Sequence, residues 1–233
     1  MRIDIWSDII CPFCTIGKAE LDAALAAFPH ADEVTIVPRS FELQPSDGTP
    51  RSVEPVVEHL MRKYGISEAQ VAAQNDQLAA RASGLGLEFN WRGSLAAPTL
   101  DAHRLVKLAA TVGLAREVET ALMTAYFTEG RDISDHAVLR EVAEHAGLDA
   151  ARVAEVLASG EFADAVRADQ AEAAALGVRG VPFFVIDGRL GVSGAQPSNT
   201  FGRALAQAWA TSHPVVEFAS ETAGDSCGVD GCA

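Results

Sequence analysis

Strand-forming patterns occur only at the two ends of this 233-residue chain, which restricts how it can build a sheet. At the N-terminal end, residues 2–10 interleave Ile and Trp with polar side chains, which predicts a strand. Apolar side chains then recur at helical spacing over residues 13–28, and Pro29 ends that helix. Residues 34–41 are rich in β-branched side chains and predict a second strand. This end of the chain therefore predicts the order strand, helix, strand.

The strand signals return at residues 181–186, where Asp187-Gly188 is typical of a two-residue hairpin turn into a strand at 190–192. A helix is predicted over residues 198–210. Between the two ends, residues 52–176 are rich in Ala and in helix start and stop signals, which predicts an all-helical block. Because neither end can bury a core alone, we expect both to join in one helix-covered sheet that the helical block interrupts.

These patterns define a fold class and its domain boundaries. We expect an α/β domain that is discontinuous in sequence and consists of residues 1–48 and 176–212. An inserted α-helical domain then occupies residues 49–175. Residues 213–233 are rich in Gly, Ser and acidic side chains, so we expect a flexible C-terminal tail, which carries two of the cysteines.

Charge and hydropathy exclude several classes of partner. The formal net charge of −14 repels the phosphate backbone of nucleic acids and anionic lipid head groups. The sequence contains no run of about eighteen uncharged apolar residues, which is the length that spans a bilayer. The first residues lack the basic flank and cleavage site of a signal peptide, so we expect a cytoplasmic protein. Neither nucleic acid nor a membrane is an expected partner.

The four cysteines form two close pairs at opposite ends of the chain, Cys11 with Cys14 and Cys227 with Cys232. A cytosol keeps ordinary thiols reduced, so this clustering favours redox chemistry or metal binding over structural disulfides. The Cys11-Pro12 step falls at a predicted helix start, where proline is favoured. Exposed N–H groups and the helix dipole stabilise a thiolate there, so we expect a solvent-facing Cys11 with a lowered pKa. Cys14 would resolve the mixed disulfide.

A C-x-x-C pair alone is moderately specific, because half of a zinc site has the same spacing. The residues around Pro182 support the redox interpretation. Pro182 lies at the start of a predicted strand, where a trans proline would spoil sheet pairing, so we predict a cis Val181-Pro182 bond. In that arrangement Pro182 packs against the two cysteines, and Val181 offers its backbone to an extended substrate.

The C-P-x-C after the first strand and the G-V-P-x-F-V before the hairpin resemble the thioredoxin superfamily, and the helical insertion is similar to that of the DsbA family. Longer stretches resemble the FrnE-like branch of that family. They are Ser7 to Cys14 with Ile16-Gly17, Ser40 to Pro45, Leu100 to Leu105, and Tyr126 to Ser134. The resemblance extends from Arg2 to about Ala210.

This resemblance implies a thioredoxin-like fold with an inserted helical domain and a cytoplasmic dithiol-disulfide oxidoreductase. Cys11 and Cys14 stand at the positions of the redox pair, and Pro182 at that of the cis proline. DsbA itself has His between its cysteines, whereas Phe13 cannot donate a hydrogen bond to the thiolate, so a strongly oxidising potential is not implied. The direction of electron flow stays open.

We expect no metal and no cofactor besides the dithiol, with glutathione as a candidate co-substrate. The expected partners are protein or small-molecule disulfides and an unidentified electron donor or acceptor, and the chain is expected to be a monomer or a homodimer. The candidate substrate-binding residues are Pro12, Phe13, Val181 and His103. Three others are candidates to line the same cleft with His103, or else to pack between the domains: Arg104, Tyr126 and Arg131.

Three charged residues near the cysteines are secondary candidates. Asp4 and Asp8 share a predicted strand face, and either one can take a proton near a buried thiol or lie on a solvated polar face. Lys18 lies one helical turn beyond Cys14 and either steadies the thiolate by its charge or lies on a solvated helix face.

The C-terminal pair, Cys227 and Cys232, lies in a glycine-rich tail that is flexible enough to fold back. We interpret it as a secondary redox pair that relays electrons by exchange with Cys11 and Cys14. The alternative is a tail whose thiols are idle or bind metal.

Two other functions stay open. A glutathione-dependent isomerase or transferase like the 2-hydroxychromene-2-carboxylate isomerases would share the fold, but those enzymes often have Ser where Cys11 stands, and the retained Cys14 argues against them. A zinc-binding or chaperone-like module would use both cysteine pairs as ligands, or neither in catalysis. Hydrolase, nucleotide and metalloprotease functions lack their motifs: the sequence has no Ser-His-Asp spacing, phosphate-binding glycine loop or H-E-x-x-H.

Overall fold

The computed structural model describes residues 1–45 and 53–213, together with the backbone of two short strands near the C-terminus. Its strands are β1 (Arg2–Ser7), β2 (Thr35–Ser40), β3 (Glu54–Pro55), β4 (Leu95–Ala96), β5 (Phe183–Ile186), β6 (Leu190–Ser193), β7 (Cys227–Gly228) and β8 (Gly231–Cys232). The main sheet has the strand order β2-β1-β5-β6. β1 pairs in parallel with β2 and antiparallel with β5, and β5 pairs antiparallel with β6. The two ends of the chain thus form one sheet, as predicted.

Nine helices accompany these strands in the described residues. They are α1 (Pro12–Ala26), α2 (Val56–Tyr64), α3 (Glu68–Ser83), α4 (Leu100–Ala110), α5 (Ala115–Phe127), α6 (His136–His145), α7 (Ala150–Ala158), α8 (Ala163–Ala175) and α9 (Ser198–Ser212). In the part of the chain that the structure describes, none of them is long and apolar enough to cross a membrane.

Helices cover both faces of the main sheet. On one face, Ile3 and Ile5 of β1 and Phe184 of β5 are buried against Leu21 of α1 and Phe201 of α9. The other face carries Trp6, which packs with Ala173 of α8, and the Trp6 indole N–H donates to the Asp169 carbonyl at 2.9 Å. The alternation of side chains along β1 therefore supplies both cores.

The helical insertion has its own core, and the two N-terminal cysteines belong to it. Leu105 of α4, Leu122 of α5 and Leu139 of α6 are fully buried there, in one cluster with Cys11 and Cys14. The start of α1 therefore lies where the insertion packs against the sheet domain. The sequence predicts an all-helical insertion, and this is wrong in one detail. The short strands β3 and β4 pair antiparallel within the insertion.

The local signals at the hairpin are confirmed. Asp187 and Gly188 have φ angles of 49° and 65°, the positive values that a two-residue turn of this type requires. The loop is one residue longer than predicted, because Ile186 faces Leu190 across β5 and β6 and Arg189 also lies between the strands. The first strand is shorter than predicted: it ends at Ser7, because the chain turns there toward α1.

Candidate active site

The first turn of α1 holds two free thiols, Cys11 and Cys14. Cys11 is the residue that caps the helix, with an extended backbone at φ −89° and ψ 112°, and Pro12 opens the helix. The Cys14 N–H donates to the Cys11 carbonyl at 3.0 Å, and the Cys11 N–H donates to the Asp8 carbonyl at 3.1 Å. The Cys11 side chain does not cap the helix N–H groups. Those groups and the positive end of the helix dipole therefore favour a negative charge on the Cys11 sulfur.

The expectation that Cys11 faces bulk solvent is wrong. Cys11 is 3% exposed and Cys14 is fully buried. The cause is the helical insertion, because Tyr126 and Phe127 at the end of α5 pack in the same core as the cysteines. Cys11, Tyr126 and Phe127 also line a cavity of about 370 Å³. The Cys11 thiol therefore opens onto a cavity between the insertion and the sheet domain.

The loop before β5 contacts α1 beside the cysteines. The Val181–Pro182 peptide bond is cis, as predicted. The Cys11 thiol donates to the Val181 carbonyl at a sulfur–oxygen distance of 3.7 Å. Pro182 itself packs on Gly17 of α1, where an added Cβ would lie 2.9 Å from the proline ring. Glycine at position 17 is thus what lets this loop approach the helix.

We expect Gly17→Ala to destabilise the protein, although alanine is the better helix former. The new methyl group would overlap the rigid Pro182 ring, and such overpacking costs roughly 1–3 kcal/mol. Gly202→Ala is the matched control, because Gly202 also lies inside a helix and a Cβ there meets no atom within 4 Å. That control should stabilise the fold by about 0.5–1 kcal/mol. Urea unfolding compares the two variants, and equal effects would contradict the close approach.

A buried carboxyl group lies behind the two cysteines. Asp8 is fully buried. Its Oδ2 accepts a hydrogen bond from the Leu43 backbone N–H at 2.8 Å, and its Oδ1 lies 3.3 Å from Nε2 of His103. Asp8 is close enough to Cys14 for its charge and its backbone to act on that thiol.

The Cys14 thiol has a pKa well above its ordinary value. Burial is the largest cause, and the hydrogen bond and charge of Cys11 add to the rise. A hydrogen bond with the Asp8 backbone lowers the pKa, whereas the Asp8 charge raises it. Cys14 is therefore protonated near neutral pH and needs a proton acceptor before it can attack a disulfide.

The structure places His103 behind the cysteines and not among the residues that line the cavity, in contrast to its predicted contact with substrate. It is buried because α4 packs its neighbours into the core of the insertion, and its ring faces Asp8. Glu42, which the sequence did not single out, is a further buried acid near His103. Burial raises the pKa of the Glu42 carboxyl, while the nearby His103 and a hydrogen bond from Gln170 at 3.0 Å lower it. The only signal for Glu42 was its place in the stretch Ser40 to Pro45.

A family model described as the DSBA-like thioredoxin domain matches residues 2–206, which is most of the chain. The chain belongs to the DSBA-like thioredoxin domain family. This confirms the predicted fold class, a thioredoxin-like α/β fold with a helical insertion. The crystal structure of the probable DsbA oxidoreductase SCO1869 from Streptomyces coelicolor is similar, with 45% sequence identity and a TM-score of 0.86. That match covers 100% of this chain and 98% of the other chain.

Two further proteins extend the comparison. The uncharacterized protein YwbO of Bacillus subtilis (strain 168) is 27% identical over 207 residues, which cover 88% of this chain and 96% of YwbO. The structure of a 2-hydroxychromene-2-carboxylate isomerase has a TM-score of 0.68 at 15% identity, covering 91% of this chain and 98% of that one. At that identity the isomerase shows a shared fold and nothing about activity.

A second charged group in this DSBA-like domain, Lys18, is buried, which excludes one of the two alternatives for it. Lys18 does not lie on a solvated helix face, because α5 of the insertion covers it. Its ammonium forms an ion pair with Glu119 of α5, and the Ser7 hydroxyl donates to the same carboxylate. The positive charge of Lys18 is therefore paired with the carboxylate of Glu119 and does not act on the Cys11 sulfur alone. The sequence alone did not single out Glu119.

Three other charged candidates bond away from the cavity. They are Asp4 with Arg39 at 2.8 Å, Arg104 with the Glu161 carbonyl at 2.7 Å, and Arg131 with Glu141 at 2.6 Å. Arg104 is buried and its bonds lie within the insertion, which agrees with the packing alternative and not with a place in the cleft. The sequence indicates three cleft candidates beside His103, and of these Tyr126 lines the cavity.

The remaining candidates fall into two groups. Pro12, Phe13 and Val181 all line the cavity with Cys11, and Phe13 is 44% exposed. The β7–β8 ladder places the backbone of Cys227 opposite that of Cys232, while the side chains of this predicted secondary pair lie outside the described residues. Among the described residues, no group of three or more His, Cys, Asp and Glu side chains is arranged to hold a metal ion.

Proposed function

We propose that this protein is a cytoplasmic thiol-disulfide oxidoreductase of the FrnE-like branch, with Cys11 as the attacking thiol and Cys14 as the resolving thiol. One observation carries the proposal. Two free thiols share the first turn of a helix, and of the two only Cys11 lines the cavity while Cys14 is buried behind it. This difference in access is what a two-step dithiol exchange requires. One sulfur has to contact the substrate disulfide, and the other attacks only after the mixed disulfide has formed.

In the reductive direction the Cys11 thiolate attacks one sulfur of the substrate disulfide. A bond forms between Cys11 and that sulfur, and the other substrate sulfur leaves as a thiolate that takes up a proton. Cys14 loses its proton and attacks Cys11, which releases the second substrate thiol and leaves a Cys11–Cys14 disulfide. Two electrons have then passed from the protein to the substrate. The same steps in reverse oxidise a substrate dithiol.

The alternative isomerase function has the same fold but uses only one of these sulfurs. An isomerase that works through a glutathione adduct needs no resolving thiol, so Cys14 would have no role in it. The zinc-binding alternative needs further ligands beside Cys11 and Cys14. The paired thiols with unequal access support the oxidoreductase over both.

The test is a single-turnover reaction of the reduced protein with a disulfide, using insulin and hydroxyethyl disulfide in separate experiments. Reaction with at least one of them should yield reduced substrate in proportion to protein. Mass spectrometry of the digested protein should then show Cys11 linked to Cys14. Purified protein that holds stoichiometric zinc and reduces neither substrate would contradict the proposal.

Asp8 is the group we propose as proton acceptor for Cys14. Its carboxyl group is fully buried, acts on the same thiol, and is held in place by the Leu43 N–H and by His103. A positioned base of this kind contributes typically about 10²–10⁴-fold to a proton-transfer step. The step it would serve is the attack of Cys14 on the mixed disulfide, and not the first attack by Cys11.

We expect Asp8→Asn to slow the resolving step by about 10²-fold while the first step changes little. Asn keeps the size of Asp and can still accept from the Leu43 N–H, but it cannot take a proton. Rapid-mixing kinetics with mass spectrometry separates the two steps, because the mixed disulfide accumulates. Asp4→Asn is the matched control: Asp4 is also a buried acid, but it lies on β1 and pairs with Arg39. Equal accumulation in both variants would contradict the role of Asp8.

The C-terminal pair is expected to return electrons to the site. If Cys227 and Cys232 take two electrons from an external dithiol reductant and pass them to the Cys11–Cys14 disulfide, replacing both by serine should lower multiple-turnover disulfide reduction with that reductant several-fold. The first turnover of pre-reduced protein should be unchanged, because it uses only the N-terminal pair. Multiple-turnover and single-turnover rates of the double variant measure this difference. Unchanged multiple-turnover kinetics would show that the tail thiols are idle.

A further inference from the structure

Little of Cys11 is exposed to solvent. Cys11 is 3% exposed, and the cavity that it lines has a volume of about 370 Å³. This volume is at the small end of the range of roughly 300–1,000 Å³ for pockets that hold small molecules. Disulfide exchange needs direct contact between the attacking sulfur and the disulfide. A substrate therefore has to place its disulfide inside this cavity.

The cavity walls come from both halves of the molecule. Phe13 and Val181 belong to the sheet domain, whereas Leu60, Trp91 and Tyr126 belong to the insertion. Trp91 and Tyr126 are buried, and the Tyr126 hydroxyl is engaged with the Leu95 carbonyl at 2.8 Å. The Cys11 sulfur thus lies between walls from both halves of the molecule, and a protein substrate would have to reach it between them. A folded protein that carries its disulfide on a broad surface does not fit this geometry.

The charge of the cavity is opposite to that of the whole protein. The chain has 32 acidic and 18 basic residues, yet no Asp or Glu is among the described residues that line the cavity. Its lining includes Lys63 at the end of α2, whose ammonium lies 5.6 Å from the centre of the exposed Tyr64 ring. His59 also lines it. The positive end of α1 points at the same space, so an anionic group is favoured there.

The acid that contacts His59 does not reverse that charge. Glu54 accepts hydrogen bonds from Arg62 and contacts His59 at 2.9 Å. Hydrogen bonds from Arg62 and then from His59 lower the pKa of the Glu54 carboxyl to about 2. Its negative charge is thus paired with the Arg62 guanidinium, and Lys63 is left to attract a ligand.

We propose that the substrate is a low-molecular-weight disulfide that carries a carboxylate, and not a folded protein. This inference rests on the proposed function and names its substrate class. The Cys11 thiolate takes one half of the substrate as a mixed disulfide, the other half leaves as a thiol, and Cys14 then releases the first half. The two electrons come from the protein dithiol, and an external dithiol reductant restores it.

The test compares four disulfides in single turnovers of pre-reduced protein. Dithiodipropionate is a dianion, hydroxyethyl disulfide is neutral, cystamine is a dication, and insulin is a protein. Each rate constant is divided by the rate constant of the same disulfide with dithiothreitol, which removes intrinsic reactivity. We expect the dianion to react fastest, about tenfold faster than the dication, and insulin to react slowest.

Lys63→Met tests the charge separately. It should lower the normalised rate constant of dithiodipropionate by about tenfold, raise that of cystamine, and leave hydroxyethyl disulfide unchanged. Arg140→Gln is the control, because Arg140 is an exposed cation on α6 and not among the residues that line the cavity. Raising the ionic strength should reduce the difference between dianion and dication in the native protein.

The outcomes separate this inference from the function on which it rests. Insulin reduced as fast as the dianion, with a Cys11–Cys14 disulfide formed, would overturn the substrate class and leave the oxidoreductase function in place. The substrate class would also be overturned if Lys63→Met left the ratio of the normalised rate constants of dithiodipropionate and cystamine unchanged. Failure of all four disulfides to oxidise Cys11 would contradict the oxidoreductase function itself, and the substrate class with it.

Discussion

Cys11→Ser is expected to abolish disulfide reduction, with a loss of more than about 10³-fold in the rate of the first step. The serine hydroxyl stays protonated at neutral pH, so the helix N-terminus has no anion to stabilise at that position. The substitution replaces one sulfur atom by oxygen, and the side chain at this site bonds only to the Val181 carbonyl at 3.7 Å and to the Cys14 thiol among the described residues. We therefore expect the fold and its unfolding midpoint to stay close to those of the native protein.

Cys14→Ser is the informative partner of that variant. It should carry out the first step at a near-native rate and then stop, because no second thiol is present to release the bound half of the substrate. Intact-mass spectrometry should show the protein with one substrate half attached, and digestion should locate it on Cys11. In cell extract the same variant should retain its physiological substrate as a mixed disulfide.

The two variants together also decide between the functions that share this fold. An isomerase that needs only one nucleophile would keep its activity in Cys14→Ser and form no trapped disulfide. A zinc-binding module would lose metal in both variants alike. Loss of the first step in Cys14→Ser, or its persistence in Cys11→Ser, would contradict the assigned order of attack.

Local features of the fold are predictable from the sequence because they depend on neighbouring residues. The Asp187-Gly188 turn needs two residues with positive φ, and the pattern on either side of it sets the pairing of β5 with β6. The cis peptide bond before Pro182 follows from a proline at the start of a strand. The short pair β3 and β4 is not predictable in this way, because strands of two residues leave no periodic pattern.

The surroundings of the cysteines are not predictable from local sequence patterns, because they depend on contacts between the insertion and the sheet domain. Asp8 meets His103 across 95 residues of sequence, and Lys18 meets Glu119 across 101. No periodicity within one segment encodes which residue of a distant helix faces it. The same packing buries Cys11, which the helix start alone predicts to lie in solvent. The cysteine pair and the two candidate acids, Asp4 and Asp8, are thus recognisable from the sequence, whereas the burial of Cys11 and the choice between the two acids are not.

The ion pair between Lys18 and Glu119 is expected to be the most sensitive point for stability in the described structure outside the apolar cores. Both side chains are almost fully buried, at 9% and 4% exposure, and the Ser7 hydroxyl shares the carboxylate. Removing one partner of a buried pair leaves an uncompensated charge, which costs roughly 3–5 kcal/mol. We therefore expect Glu119→Gln to lower the free energy of unfolding by about that amount.

Urea unfolding of four proteins tests this expectation: native, Glu119→Gln, Lys18→Met and the double variant. The double variant should be more stable than either single variant, because it buries no unpaired charge, and the amide oxygen of the new glutamine side chain can still accept from Ser7. Glu141→Gln is the matched control, since it breaks the exposed pair with Arg131 and should change stability little. If Glu119→Gln unfolds at the same urea concentration as Glu141→Gln, α1 and α5 do not exclude water from this pair. The packing that buries Cys11 and Cys14 beside it would then be looser than the structure indicates, and Cys14 would react with alkylating reagents as readily as Cys11 does.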